Sequence, residues 1–384
     1  LRGMCFGLTT AILLSGAPAR AGTNDLGLQD VLSTWPADQP ISTLVFLSDR
    51  VDLAALTALL DQEGATLQRR HEVVVRSLQE KAQATQGSLT KQLIALQAEG
   101  RVNDFEAYWI NNSFRVDALP AEIILLAEHP DVDTIYYNLE IEAIRPVGTP
   151  GGDEGSPRSP EPGLAVINAP QAWAAGFTGN GVLISSLDTG VDGNHSALAS
   201  RWRGVADSRY AGHPQWAWFD PQTSTTFPGS FGAHGTHTMG TMCGGAPGDQ
   251  IGVAPGAQWI HAAVIDRADI ATTVAQAILA FQWIIDPDGN PSTNWDVPVV
   301  CSNSWGVATG HGYPPCDQTF WSVLDANEAA GIVMVFAAGN EGSGAETVRR
   351  PADRATTETS TFAVGAVDGA GSFPWPIAGF SSRG

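Results

Sequence analysis

Two histidines stand three residues apart in the stretch Gly-Ala-His-Gly-Thr-His-Thr-Met-Gly, residues 232–240. An imidazole titrates near neutrality, and it serves as an acid or base when a carboxylate fixes its tautomer. A carboxylate of that kind follows the run Val-Leu-Ile-Ser-Ser-Leu: Asp188, with Thr189 and Gly190 after it. A third polar group, the amide of Asn340, follows Ala337, Ala338 and Gly339 at the end of another apolar run. An amide can donate to an oxyanion where charge appears. Each residue also has a plainer reading. Asp188 and Asn340 would serve equally well in turns, and a single histidine is more often structural than catalytic. Their joint order, Asp then His then Asn, is what points to chemistry.

The elements around them decide whether these residues can meet. Strand-like apolar runs at 180–190, 256–266, 297–306, 332–342 and 360–367 alternate with helical patterns at 235–245, 270–286 and 319–331. Near-continuous apolar strands alternating with helices predict a parallel sheet covered on both faces. In such sheets the chemistry lies beyond the carboxyl ends of the strands. Three of these strands end in a polar residue close to glycine: Asp188, Asn303 and Asn340. Glycines on both sides of His234 allow close backbone approach.

The first part of the chain reads differently. Residues 1–21 hold an apolar run after Arg2 and end in Ala19-Arg20-Ala21, the small-x-small pattern of a cleaved export signal. The run is too short to span a bilayer. Residues 22–40 read as a polar leader. Residues 41–145 read as a small α+β unit, with strands at 41–47, 107–119 and 132–144, helical text from Leu53 to about Gly100, and a short helix at 120–130. Residues 146–163 are rich in Pro, Gly and charge, as a linker is. Residues 164–384 form the second unit. The chain has 384 residues and a net charge of −20, without the basic stripe of a nucleic-acid binder. Cys243, Cys301 and Cys316 remain once Cys5 leaves with the signal, and the odd count assigns no disulfide.

The segments SLDTGVDGNH, GAHGTHTMG, SNSWG and VFAAGNEG together resemble the subtilisin-like serine proteases, the subtilases, over residues 164–384. The first unit resembles a subtilase propeptide of the bacillopeptidase F type. The resemblance implies an α/β fold: a three-layer subtilisin-like parallel sheet, incomplete at its C-terminal end, after a small α+β propeptide. It implies an endopeptidase in which His234 is the general base, Asp188 orients it and Asn340 lines the oxyanion hole. His237 becomes a structural helix residue. Ser304, Trp305 and Gly306 become the strand that pairs with substrate, and Ala337, Ala338 and Gly339 a wall of the pocket before the scissile bond. Trp305 suits either a pocket floor or the core. The implied partners are a polypeptide substrate and the chain's own propeptide, as chaperone and temporary inhibitor cut off in or near the linker. A monomer is expected, secreted or periplasmic, with neither nucleic acid nor a membrane once the signal is removed. No cofactor or metal is required. Calcium, common in the family, stays unassigned: DPDGN (286–290) and DVD (131–133) are acidic and turn-like without the alternating ligands of an EF-hand loop.

The family's nucleophile motif, Gly-Thr-Ser-Met-Ala or similar, does not occur in the sequence, and no Gly-x-Ser-x-Gly elbow replaces it. Ser381 and Ser382 belong to a segment upstream of that motif. The expectation is a chain cut short before its serine and inactive as written. The alternative is a nucleophile-less pseudoprotease that binds a peptide or partner. An aspartic protease would need a second Asp-Thr-Gly. Zinc at His234 and His237 would need the four-residue spacing and the intervening glutamate of the metalloprotease helix.

Overall fold

The computed structural model describes residues 22–145, 147, 162–246, 249–267, 273–307, 317–354 and 362–384. The export-signal segment, most of the linker and Cys316 lie outside the described residues.

The first unit runs β1 (Thr23–Asn24), α1 (Leu26–Thr34), β2 (Ile41–Leu47), α2 (Leu53–Gln62), α3 (Leu67–Thr85), α4 (Gly87–Ala98), β3 (Val102–Tyr108), β4 (Ser113–Ala118), α5 (Pro120–Leu126), β5 (Val132–Tyr137) and the short β6 (Glu142–Ala143). Its sheet has the order β1-β5-β2-β4-β3. The two-residue period of β2 serves two cores. Ile41, Val45 and Leu47 pack with Leu28 of α1, Leu89 and Leu93 of α4, and Ile123 and Leu126 of α5. Leu44 and Phe46 enter a larger core on the other face.

Two expectations change here. Residues 22–40 are not a mere leader, because β1 pairs with β5 and Leu28 is fully buried. The expected strand 107–119 holds the end of β3, a turn at 109–112 and then β4, which pairs antiparallel with β3. The reversal uses Asn112, whose φ of 52° is left-handed, a conformation asparagine tolerates better than most residues. Asn112 Nδ2 also ties the turn to the Asp49 carbonyl and to Thr85 Oγ1.

The second unit runs α6 (Pro162–Val166), α7 (Ala169–Ala174), β7 (Leu183–Asp188), α8 (Arg203–Ala206), β8 (Trp218–Phe219), α9 (Ala233–Cys243), β9 (Gly245–Ala246), β10 (Asp249–Gln250), β11 (Gln258–Ala263), α10 (Val274–Ile285), β12 (Val300–Asn303), β13 (Trp305–Gly306), α11 (Trp321–Ala330), β14 (Val333–Ala337) and β15 (Phe362–Val364). The main sheet has the order β15-β14-β12-β7-β11-β8, and every pair in it is parallel. Strand β7 is buried along its whole length. Its inward hydroxyls are satisfied: Ser185 Oγ donates to the Val300 carbonyl at 3.2 Å, and Ser186 Oγ meets His261 Nδ1 at 2.8 Å. Helix α10 begins in a reciprocal capping box between Thr273 and Gln276.

The chain passes from β7 to β11 on one side and later returns to β12 on the other. That reversal places a crevice beyond the carboxyl ends of β7 and β12.

The two units share the larger core. Phe46, Val74, Val75, Leu78, Tyr108 and Ile141 of the first pack in one cluster with Ile278, Phe281, Trp305, Leu324 and Phe336 of the second. Polar anchors cross the same boundary. Gln282 Oε1 accepts from the Trp109 and Ile110 amides at 2.7 and 3.2 Å, and Asn138 Oδ1 accepts from the Ala275 amide at 2.9 Å.

Phe281 is fully buried in this shared cluster. Phe281→Ala is therefore expected to cost about 3–5 kcal/mol, the usual penalty for emptying an aromatic site. A denaturant titration should show the midpoint fall with little change in slope.

Candidate active site

Asp188 closes β7, and its side chain is almost wholly buried. A buried carboxylate must be hydrogen-bonded to be tolerated, and each oxygen here has donors. Oδ1 accepts from the Thr189 amide at 2.7 Å and faces His234 Nδ1 at 2.7 Å. Oδ2 accepts from Thr238 Oγ1 at 3.0 Å. His234 and Thr238 lie four residues apart on α9 and so share one face of the helix. Thr189 Oγ1 fastens the start of α9 further, accepting from the Gly235 amide at 3.0 Å and donating to the Gly232 carbonyl at 2.9 Å.

Gly235 is where the helix touches the strand end. A Cβ there would lie 2.3 Å from the Gly190 carbonyl and 3.2 Å from Asp188 Cβ. Only glycine permits that approach without moving the backbone, and the Asp188–His234 distance depends on it.

The other ring nitrogen of His234 meets the first unit. Nε2 lies 2.9 Å from the Ile144 carbonyl oxygen. Asn340 Nδ2 donates to the next carbonyl, that of Arg145, at 2.7 Å. Strand β6 pairs antiparallel with β13, Ala143 opposite Trp305 and Glu142 opposite Gly306, and the Ile144 amide donates to the Ser304 carbonyl at 2.8 Å. The segment 142–145 thus lies as an added strand along Ser304–Gly306, ending between His234 and Asn340. This is strand addition to a sheet edge, held by main-chain hydrogen bonds.

Both partners of the His234 ring can only accept, since one is a carboxylate and the other a carbonyl. The protonated imidazolium satisfies both contacts, whereas the neutral ring satisfies only one. Burial pushes the His234 pKa down, but the hydrogen bond and charge of Asp188, with the Ile144 carbonyl, outweigh it and leave the ring above its ordinary 6.5. A raised histidine pKa stabilises the folded pair most fully below that ordinary value, and the contribution is lost as pH rises through the raised one.

The structure brings Asp188 and His234 into contact and places His234 and Asn340 on successive carbonyls of one segment, with Ser304, Trp305 and Gly306 along the same crevice. The Trp305 side chain is core: it is 1% exposed, packs against Phe281, Phe320 and Phe336, and donates from Nε1 to Asn303 Oδ1 at 3.1 Å. Ala337, Ala338 and Gly339 lead from β14 to Asn340. The Ala338 amide donates to Val364, and the Ala338 and Gly339 carbonyls accept from the Arg349 and Ser382 amides. Among the described residues, no hydrogen bond joins these three to 142–145. His237 is in α9, exposed, and lines a separate cavity with Asp192 and His195. Cys243 and Cys301 are free, buried thiols, each pushed up to about 12 by burial. Of the acidic stretches weighed for calcium, Asp133 pairs with Arg50, and Asp288 accepts from the Asn290 amide and Thr293.

Sequence reading missed Glu142, Ile144, Arg145, Asp266 and Arg349. Arg349 Nη1 reaches Glu142 Oε1 at 3.1 Å, and Arg145 Nη2 reaches Asp266 Oδ2 at 2.6 Å. No local motif marks these residues, because they meet across gaps of 207 and 121 positions.

A parallel sheet carrying a buried Asp–His pair, an amide near it and an edge that takes an added strand is an arrangement of the subtilisin-like fold. The sequence profile of the Subtilase family matches residues 179–384, and the chain belongs to that family. It is 30% identical to Bacillopeptidase F of Bacillus subtilis (strain 168) over 315 residues, covering 78% of this chain and 21% of that protein. It is 31% identical to Subtilisin E of the same organism over 227 residues, covering 58% of this chain and 49% of the relative. The chain thus spans between about a fifth and a half of the length of these curated relatives. Among solved structures, fervidolysin from Fervidobacterium pennivorans, a keratinolytic enzyme related to subtilisin, aligns with a TM-score of 0.54 at 19% identity, over 91% of this chain and 46% of that one. That likeness concerns the fold.

Replacing Asp188 with Asn removes the charge that raises His234 and keeps the burial that lowers it. The His234 pKa is expected to fall below its ordinary value in Asp188→Asn, as read from the imidazole proton shifts in an NMR pH titration. A pKa unchanged from the parent would mean that Asp188 does not govern the ring.

Proposed function

We propose that this chain is the precursor part of an exported serine endopeptidase, with its first unit acting as an intramolecular inhibitor and folding aid. The observation that carries this reading is the single hydrogen-bonded run from Asp188 through His234 to a peptide segment whose next carbonyl meets Asn340. In the proposed reaction, neutral His234 takes the proton of an attacking serine. Asp188 fixes the ring through Nδ1 and stabilises the imidazolium that forms. Asn340 Nδ2 donates to the oxyanion. Ser304 and Gly306 hold the substrate backbone as an added strand.

The nucleophile is assigned to sequence outside these 384 residues, since no serine motif of the required kind occurs within them. Residues 1–21 act as the export signal, and the processed protein works as a monomer outside the cytoplasm. No cofactor takes part, and calcium is given no position. Among the described residues no helix is long and apolar enough to cross a membrane.

Segment 142–145 supports the inhibitory role of the first unit, because it fills the place a substrate would take. Occupancy also favours protonated His234, whereas catalysis needs the neutral ring. Proteolysis should therefore rise with pH through the His234 pKa.

The test begins with the reading frame past the codon for Gly384. A Gly-Thr-Ser-Met-like motif within several dozen residues is expected. The protein expressed from that frame should hydrolyse casein, be blocked by a serine-directed inhibitor, and lose activity in His234→Ala. Asn340→Leu should lower kcat by about 10²–10³, the usual cost of one oxyanion donor. N-terminal sequencing of the processed form should place its start between Arg145 and Gly163. A stop codon directly after Gly384, or full activity in His234→Ala, would overturn the proposal.

A further inference from the structure

The main-chain bonds that hold segment 142–145 in the cleft are blind to sequence. Its side chains are not treated alike. Ala143 and Ile144 are buried, and the residues flanking this pair carry opposite charges, each met by its complement.

The Arg349 guanidinium is largely buried and is fixed before the segment is considered. Its Nε and Nη2 both contact Glu341 Oε1, at 2.7 and 2.5 Å. Glu341 is steadied in turn by Ser382 Oγ, which donates to Oε2 at 3.0 Å. The Arg349 amide is bonded to the Ala338 carbonyl, so the side chain springs from the wall that leads to Asn340. One prong of the planar fork, Nη1, remains turned to the cleft and takes Glu142. A guanidinium held on one edge offers directed donors on the other.

On the opposite flank, Asp266 follows the segment anchored at the end of β7. The Val264 and Ile265 amides both donate to the Asp188 carbonyl at 3.1 Å, and Arg267, next in sequence, is buried and bonded to Asp220 and to the Ala263 carbonyl. Asp266 is thereby placed beside the exposed Arg145 side chain. That pair is open to water and screened, so it carries less weight than the Arg349 contact.

We infer that Arg349 and Asp266 make the cleft select by charge: an acidic side chain two residues before the Ile144 position and a basic one directly after it. Polypeptides of the order acidic, small, aliphatic, basic are the class that fits. This rests on the proposed reading of the cleft as a polypeptide site and adds to it which sequences the site prefers. Glu142 and Arg145 make the pro-segment the first ligand to satisfy the rule.

Two measurements test it, and neither needs hydrolysis. The first is amide hydrogen exchange on the full chain, reading the Ile144 amide that is bonded to Ser304. Glu142→Lys sets a like charge against the buried guanidinium, and exchange should speed by about tenfold or more. Glu142→Asp should retain most of the protection, and the pair Glu142→Lys with Arg349→Glu should recover it, as coupled charges do. The second uses the full chain with residues 142–145 replaced by four glycines, which removes both charged contacts and both buried side chains so that an added peptide can compete for the edge. A peptide carrying Glu-Ala-Ile-Arg should bind about tenfold more tightly than one carrying Arg-Ala-Ile-Glu, and Arg349→Met should abolish most of that preference. Equal exchange in Glu142→Lys and Glu142→Asp, equal affinity for the two peptides, or binding of neither would overturn the charge rule. Failure to find proteolysis would count against the enzyme reading alone and leave these results intact.

Discussion

The site is organised by one buried charge. Asp188 sits at the end of the most enclosed strand of the sheet, where an unpaired carboxylate would cost several kcal/mol. Its oxygens are satisfied by a neighbouring amide, a threonine hydroxyl and an imidazole, and the last two come from one face of α9. The helix must therefore dock with its first turn against the strand end, which places Gly235 where no side chain fits. The same Asp188 residue, through its carbonyl, anchors the Val264 and Ile265 amides and fixes the far side of the crevice. Satisfying this carboxylate thus sets the position of His234, the helix and one flank of the cleft.

The second organising feature is the core common to both units. The first unit is no loose appendage, because α2 and α3 pack on α11 and β3 approaches α10. Its terminal segment is delivered into the cleft by that docking. Once Asn138 and Leu139 are bonded to the start of α10, the chain has only a few residues before Ser304, and β6 can pair with β13 in one register. Burial of Ile141 and Ala143 in the shared core supports that register, since a one-residue slip would exchange buried and exposed side chains. The geometry of the cleft and its occlusion by the chain itself thus rest on the same packing.

Much of this was legible from residues alone. The strand at 183–188, the helix at 233–243 and the helix at 274–285 follow from a mostly apolar run, a run of small residues and an apolar helical stretch, which are local signals. Asp188, His234 and Asn340 were recognisable because each stands in a short motif beside glycine, where local backbone geometry constrains the sequence. The reversal at Asn112 is less legible, since a four-residue turn, 109–112, inside an apolar stretch looks like continued strand. The structure in 22–40 is hidden from local signals for a similar reason: β1 is only two residues long and exists through its pairing with β5.

The sequence by itself determined the alternating α/β pattern and the family, and it singled out Asp188, His234 and Asn340 as candidates, because these are written in contiguous segments. Only the tertiary structure decided that Trp305 serves the core through its side chain and the cleft through its backbone. Only it decided that Ile144 and Arg145 fill the site, and that Arg349 and Asp266 flank them. Those contacts join residues more than a hundred positions apart, and their partners are chosen by how helices and sheets pack rather than by any neighbouring residue.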